Sequence, residues 1–237
     1  MNFSNILFLD IETVPQYSSY DELPERWKGL WDIKAASLLR GREGEGPASV
    51  YERAGIYAEF GKIVCISCGC LQGDGPEKRL RLKSYYGHDE AALLRDFAGT
   101  LHRHWTGPDK MLCAHNGKEF DFPYLCRRMI INGILIPEPL LIAGRKPWEV
   151  RHLDTMELWK FGDFKNYTSL NLIAAALGVP SPKDDIDGSQ VGPVYWNDGD
   201  LERIRTYCQK DVVTLAQVLL RYHCQPLVPE EQVLIVS

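Results

Sequence analysis

An α/β fold is predicted from three observations. Strand-like apolar runs alternate with stretches of helical periodicity along most of the chain. Their order is strand, hairpin, helix, strand, helix, strand and then C-terminal helices. The last helical stretch, Asp198 to Tyr222, carries a continuous apolar stripe of Leu201, Ile204, Cys208, Val212, Leu215, Leu219 and Tyr222 at steps of three and four.

The first strand is the run Leu7-Phe8-Leu9, which leads directly into Asp10-Ile11-Glu12-Thr13. Side chains alternate faces along a strand, so Asp10 and Glu12 point the same way. Two acids on one face beside a buried run repel each other and lose hydration, which a divalent cation offsets. Oxygen ligands of this kind suit Mg²⁺ or Mn²⁺ rather than zinc. The plain alternative is a strand that has met solvent, with Thr13-Val14-Pro15 opening a loop, and the triplet alone does not separate the two.

Residues 15–60 read as an insertion, with helix around Trp27 to Leu39 and a mobile loop near Gly44. Tyr17, Tyr20, Trp27, Trp31, Tyr51, Tyr57 and Phe60 are interleaved there with Arg40, Arg42 and Arg53. Such aromatics either stack on bases or anchor the insertion to the main body, and anchoring is the simpler reading. Lys62 to Leu71 and Arg79 to Tyr86 form a hairpin across the Gly73-Asp74-Gly75-Pro76 turn. Cys65, Cys68 and Cys70 lie within that strand without a second cysteine or histidine pair at zinc spacing, so they read as small apolar residues.

Asp89 to Trp105 is a helix, and Met111 to His115 a short strand ending at Asn116-Gly117. The next helix begins at Asp121 and tolerates Pro123 in its first turn. A loop over Leu141 to Trp148 leads to a strand at Val150 to Leu153 that ends at Asp154. Asp154 is either a further acid near a cleft or the N-cap of a helix over Thr155 to Lys160. Tyr167-Thr168-Ser169-Leu170 opens a helix that Gly178 and Pro180 close. The tail after Gln225 is expected to pack loosely. No internal repeat or low-complexity linker interrupts the chain, so residues 1–237 read as one domain with an insertion.

Composition narrows the function classes. A 45% hydrophobic, 25% charged chain of 237 residues is ordinary for a soluble globular protein. Its net charge of −5 excludes a general electrostatic attraction to nucleic acid or anionic membranes. Seven cysteines, no basic leader in Met1 to Asn5 and no apolar run near the roughly 18 residues of a membrane span imply reduced thiols in a cytoplasmic protein.

Tyr207 and Asp211 stand four apart on the last helix and therefore share a face beside the core stripe. Alone, they are equally a solvated helix edge. Three segments together carry more: Phe8-Leu9-Asp10-Ile11-Glu12-Thr13, Asn116 through Leu125 with its Phe120-Asp121-Phe122-Pro123-Tyr124-Leu125 core, and Tyr207-Cys208-Gln209-Lys210-Asp211-Val212. In order and local detail they resemble the three exonuclease motifs of the DEDD superfamily of 3′→5′ exonucleases. A tyrosine four residues before the last aspartate is similar to the DEDDy branch, and the second motif is most similar to the proofreading exonuclease domain of B-family DNA polymerases. The resemblance spans Asn5 to about Tyr222 and leaves residues 15–60 and the tail uncovered.

That resemblance implies a ribonuclease H-like fold, a mixed five-stranded sheet flanked by helices, with Asp10 and Glu12 at the sheet centre. It implies two divalent ions, Mg²⁺ or Mn²⁺, about 4 Å apart on Asp10, Glu12, Asp121 and Asp211. Asp10 would bridge both, Glu12 and Asp211 would hold the nucleophile-side ion, and Asp121 would reach the second. Tyr207 would orient the attacking water. Asn116, Ile11, Thr13, Phe120 and Tyr167 are the candidate substrate contacts, with packing around the site as the alternative for each.

Arg127-Arg128 and Arg145-Lys146 are local basic pairs for phosphates or simply solvated surface. His115 and His152 read as structural. The expected partner is single-stranded nucleic acid, DNA ahead of RNA, with no membrane and with any replication or repair partner left unnamed. An exoribonuclease, a non-catalytic binding module and a metal phosphatase are the competing readings. The last two leave the complete set of acids, or the second and third motifs, unexplained.

Overall fold

The computed structural model of the chain describes residues 1–73, 75–146, 149–163, 167–180 and 186–236. Six strands form one mixed sheet: β1 (Ile6–Pro15), β2 (Gly61–Gln72), β3 (Arg79–Tyr86), β4 (Met111–Ala114), β5 (Leu153–Asp154) and β6 (Val233–Ile235). Their spatial order is β5-β4-β1-β2-β3-β6. β1 is antiparallel to β2 and parallel to β4, and β2 alone runs against the others. The order 3-2-1-4-5 with a reversed second strand is the ribonuclease H-like arrangement expected from the motifs.

The tail and β5 differ from expectation. β6 adds a sixth strand, parallel to β3, from a tail expected to be loose. A three-residue strand has too short a pattern to read, and only its pairing reveals it. The tail is also pinned at Val228, whose N–H and C=O meet the Gln217 side chain at 3.0 and 2.7 Å. Pairing at β5 is confined to Leu153 and Asp154, shorter than the expected Val150 to Leu153.

β1 is buried on both faces, which is why its sequence is a nearly continuous apolar run. One face packs on α2 (Glu90–His104) and α3 (Asp121–Ile131), where Leu9, Ile11 and Ile66 meet Phe97, Phe122 and Leu125. The helices α4 (Thr155–Lys160), α5 (Leu170–Ala176) and α6 (Val191–Pro193) precede the long helix α7 (Leu201–Tyr222), which covers the other face. There Ile6, Phe8 and Leu82 meet Val212, Leu215 and Leu219. Gly69 permits this approach, since a Cβ would stand 2.7 Å from Leu82 Cδ2 and 3.3 Å from Val212 Cγ1. The last helix begins at Leu201 rather than Asp198, because a π turn over Val194–Asp198 ends at Gly199 in the left-handed region.

Residues 15–60 build α1 (Glu25–Leu38) and a 3₁₀ segment over Pro47–Ile56. Trp31 is fully buried among Tyr51 and Phe60, with ring centroids 5.4 and 5.2 Å away, and its indole N–H donates to Pro47 O at 2.9 Å. The aromatics therefore pack on one another as the insertion's own small core, and a tie to the main body is instead the Tyr124 hydroxyl, which donates to Gly55 O at 2.7 Å. The cysteines are free, with Cys65 and Cys68 buried in β2. Among the described residues no helix is long and apolar enough to cross a membrane. Asp74, Pro147 and Trp148, parts of the expected turn and loop, lie outside the described residues.

Arg128, half of a pair expected at the surface, is instead 2% exposed. It binds both oxygens of Glu90 and donates to Ala58 O at 2.8 Å, while Ile63 N–H and the Asn132 amide satisfy the same carboxylate. This buried pair joins α3 to α2, β2 and the insertion. Removing one partner leaves the other charge uncompensated, so Arg128→Ala is expected to lower stability by about 3–5 kcal/mol in a urea titration. A loss below about 1 kcal/mol, the range of surface pairs, would show that the pair does not carry this junction.

Candidate active site

Asp10 and Glu12 lie in register with Ser67 and Cys65 of β2, so both carboxylates face α7. A bulge between Glu12 and Thr13 shifts the register, and pairing with β2 resumes from Thr13 to Pro15. Across from them, Cys208 donates its S–H to Asp10 Oδ2 at 3.4 Å and to Asp10 O at 3.5 Å. The two carboxylates and the Cys208 sulfur have ligand atoms within 4.8 Å of one another. Burial, followed by the neighbouring Asp211 and Asp121 charges, pushes the Asp10 carboxyl well above the ordinary carboxylate range. Glu12 is raised in the same way, by burial and then by Asp10 and Asp211.

Asp211 and Tyr207 come from the same face of α7. The Tyr207 hydroxyl is hydrogen-bonded to the Asp211 carboxylate. Burial, then the Asp211, Glu12 and Asp10 charges, hold its phenol well above the usual tyrosine range. A chain of uncharged groups fixes this part of α7 on the sheet: Gln209 Nε2 donates to Ser84 Oγ at 2.8 Å, and Ser84 Oγ meets Ser67 Oγ at 2.9 Å. Ser67 is the cross-strand partner of Asp10, so the network stands directly beside the acids.

Asp121 opens α3 and is 3% exposed. Burial outweighs the hydrogen bonds it accepts from its own and the Ile11 backbone N–H, and with Asp154 and Asp211 raises its carboxyl to about 7. The turn before it places Asn116 at φ 62° and leaves the buried Asn116 Oδ1 without a hydrogen-bond partner. Gly117 packs so tightly on Ala114 that a Cβ would collide with it. Tyr167 is exposed, and desolvation followed by the Asp121 and Asp154 charges raises its phenol.

The structure thus brings Asp10, Glu12, Asp121, Asp211 and Tyr207 together. Other candidates are placed differently. The Ile11 side chain is in the core on the far face of β1, leaving only its backbone toward Asp121. Thr13 meets the Tyr124 hydroxyl, which also donates to Gly55 O at 2.7 Å. Phe120 packs on the Tyr124 ring, centroids 5.3 Å apart. His115 and His152 are structural: His115 bonds Thr155 Oγ1 and Thr168 O, and His152 bonds Leu112 N and Pro139 O.

Sequence reasoning passed over Cys208, Gln209 and Ser67. Cys208 belongs to the apolar stripe, and its neighbour Asp10 is known only from the packing of α7 on β1. The donor set fits hard divalent cations, because clustered, partly desolvated carboxyl oxygens gain both charge neutralisation and ligands from such an ion.

A family model described as a predicted 3′–5′ exonuclease related to the exonuclease domain of PolB matches residues 56–227. A solved structure of the family B DNA polymerase from the hyperthermophilic archaeon Pyrobaculum calidifontis is 17% identical, with a TM-score of 0.46 over 91% of this chain. The chain spans 24% of that polymerase. A structure of an ExoI/SSB-Ct complex is 11% identical, with a TM-score of 0.36 over 88% of this chain and 43% of its own. No curated protein sequence matches.

The raised carboxyls set a pH dependence. Between the ordinary aspartate value of 3.8 and about 7, folded Asp121 holds more proton than the unfolded chain does. Its contribution to stability is therefore most favourable at the acid end and declines as pH rises through that window. In EDTA, the Tm of the protein relative to Asp121→Asn is expected to fall from pH 4 to pH 7. A Tm difference that is flat or rises over the same range would contradict this electrostatic picture.

Proposed function

The chain belongs to the family of predicted 3′–5′ exonucleases related to the exonuclease domain of PolB, and from that premise we propose that it removes 5′-mononucleotides from the 3′ end of single-stranded DNA. The carrying observation is the meeting of three segments distant in sequence, which supply Asp10 and Glu12, Asp121, and Asp211 with Tyr207 bonded to it. The enzyme class is hydrolase and nuclease. The DEDDy assignment rests on Tyr207 and Asp211, four residues apart on α7.

Asp10, Glu12, Asp121 and Asp211 would hold two divalent ions, Mg²⁺ or Mn²⁺. Such ions supply a bound water of lowered pKa and offset charge on the leaving 3′ oxygen. The chain's own groups do the rest. Because the Tyr207 hydroxyl donates to Asp211 and its phenol is held above the usual tyrosine range, it orients a water by accepting a hydrogen bond and does not act as a base near neutrality. Asn116, Ile11 and Thr13 are the proposed contacts to the terminal nucleotide, Asn116 through an amide whose buried Oδ1 has no hydrogen-bond partner. Phe120 and Tyr167 offer rings against which a base stacks. A net charge of −5 means that attraction to the substrate is local, at the ions and nearby donors.

A 5′-labelled oligonucleotide, offered as single-stranded DNA and as RNA with Mg²⁺ or Mn²⁺, tests the reading. A ladder shortening from the 3′ end, faster on DNA, and absent with EDTA or in Asp10→Ala, is expected. Tyr207→Phe is expected to lower kcat by about 10²-fold while leaving the fold intact. Faster RNA trimming would reassign the substrate. Absence of cleavage on both polymers by the folded, metal-supplied protein would replace the enzyme with a binding module.

A further inference from the structure

Asp154, at the end of β5, is 3% exposed, and its carboxylate accepts four backbone N–H bonds from two separate segments. Met156 N at 3.0 Å and Glu157 N at 3.2 Å belong to the first turn of α4 and make Asp154 its N-cap. The other two donors, Asn116 N at 3.0 Å and Lys118 N at 3.1 Å, belong to the turn between β4 and α3. Capping requires only the first pair. The second pair joins α4 to the turn that delivers Asn116 and Asp121.

That turn needs holding. Asn116 adopts a left-handed conformation uncommon outside glycine, and its amide oxygen is buried without a partner. Two further contacts run between the same segments: Lys118 Nζ to Glu157 at 2.6 Å and His115 Nδ1 to Thr155 Oγ1 at 2.9 Å. Asp154 is buried, and within this set it alone grips the turn's backbone, through both carboxylate oxygens. An acceptor-only group is required there, because every neighbour it contacts is a donor.

We propose that Asp154 is a positioning residue of the exonuclease site, holding the β4–α3 turn so that Asp121 and the Asn116 amide face the acids of β1. Its consequence for metal binding rests on the function proposed above. Its consequence for the turn does not.

Asp154→Ser separates capping from positioning, since a serine oxygen caps α4 but is too short to bind the turn. In the full chain, hydrogen–deuterium exchange over residues 115–120 is expected to speed up tenfold or more while α4 stays protected. Mn²⁺ affinity is expected to fall about 10- to 100-fold, in the direction of Asp121→Asn. If the serine variant does not fold, Asp154→Asn gives the same comparison, because it keeps the shape and loses the bond from Lys118 N. Wild-type exchange at 115–120, or acceleration spread evenly over the chain, would overturn the proposal. If the wild-type chain itself binds no Mn²⁺, the metal reading fails while the exchange comparison still decides the role of Asp154.

Discussion

Gathering carboxylates in a partly dry site works against both hydration and Coulomb's law, and the architecture around β1 makes that gathering unavoidable. β1 is the central strand, buried on both faces, so the acids at positions 10 and 12 cannot turn away to water without breaking the register with β2. α7 brings Asp211 over the same face because its apolar stripe must cover Phe8 and Leu82. α3 starts at Asp121 because its own apolar face is committed to Leu9 and Ile11 on the opposite side of the sheet. Core packing alone therefore forces like charges together, and the raised Asp10, Glu12 and Asp121 carboxyls record the unrelieved cost.

The same molecule shows how it treats a buried acid when no chemistry is at stake. Glu90 is met by both arms of the Arg128 guanidinium, a backbone N–H and an asparagine amide. Next to Asp10 the contacts are a thiol and the Ser67–Ser84–Gln209 chain, groups that position without neutralising. Asp154 lies between these cases: its carboxylate is met by four backbone N–H groups, which locks two segments together. A site that is rigid and short of positive charge is one in which a divalent ion gains the most.

Local periodicity made much of this legible in advance. Alternation on a strand aligned Asp10 with Glu12, and a four-residue step on a helix aligned Tyr207 with Asp211, but only the resemblance of the three motifs taken in order singled these residues out as a site. The buried position of Arg128 was not legible, since a dibasic pair looks the same whether or not a Glu90 lies beneath it. Asp154 was ambiguous because its second pair of bonds reaches 38 and 36 positions back along the chain. β6 escaped for a related reason: three residues carry no period, and their strand character exists only through pairing with β3. What the sequence conceals here is tertiary proximity between elements that are individually recognisable.

A divalent-cation site at these acids is read out by calorimetric titration with Mn²⁺ near pH 7 in buffers of different ionisation enthalpy. Two ions per chain are predicted, with net proton release because the raised carboxyls must ionise to bind, and with affinity lost in Asp10→Asn. Failure to bind Mn²⁺ at millimolar concentration, or binding that Asp10→Asn leaves unchanged, would contradict it.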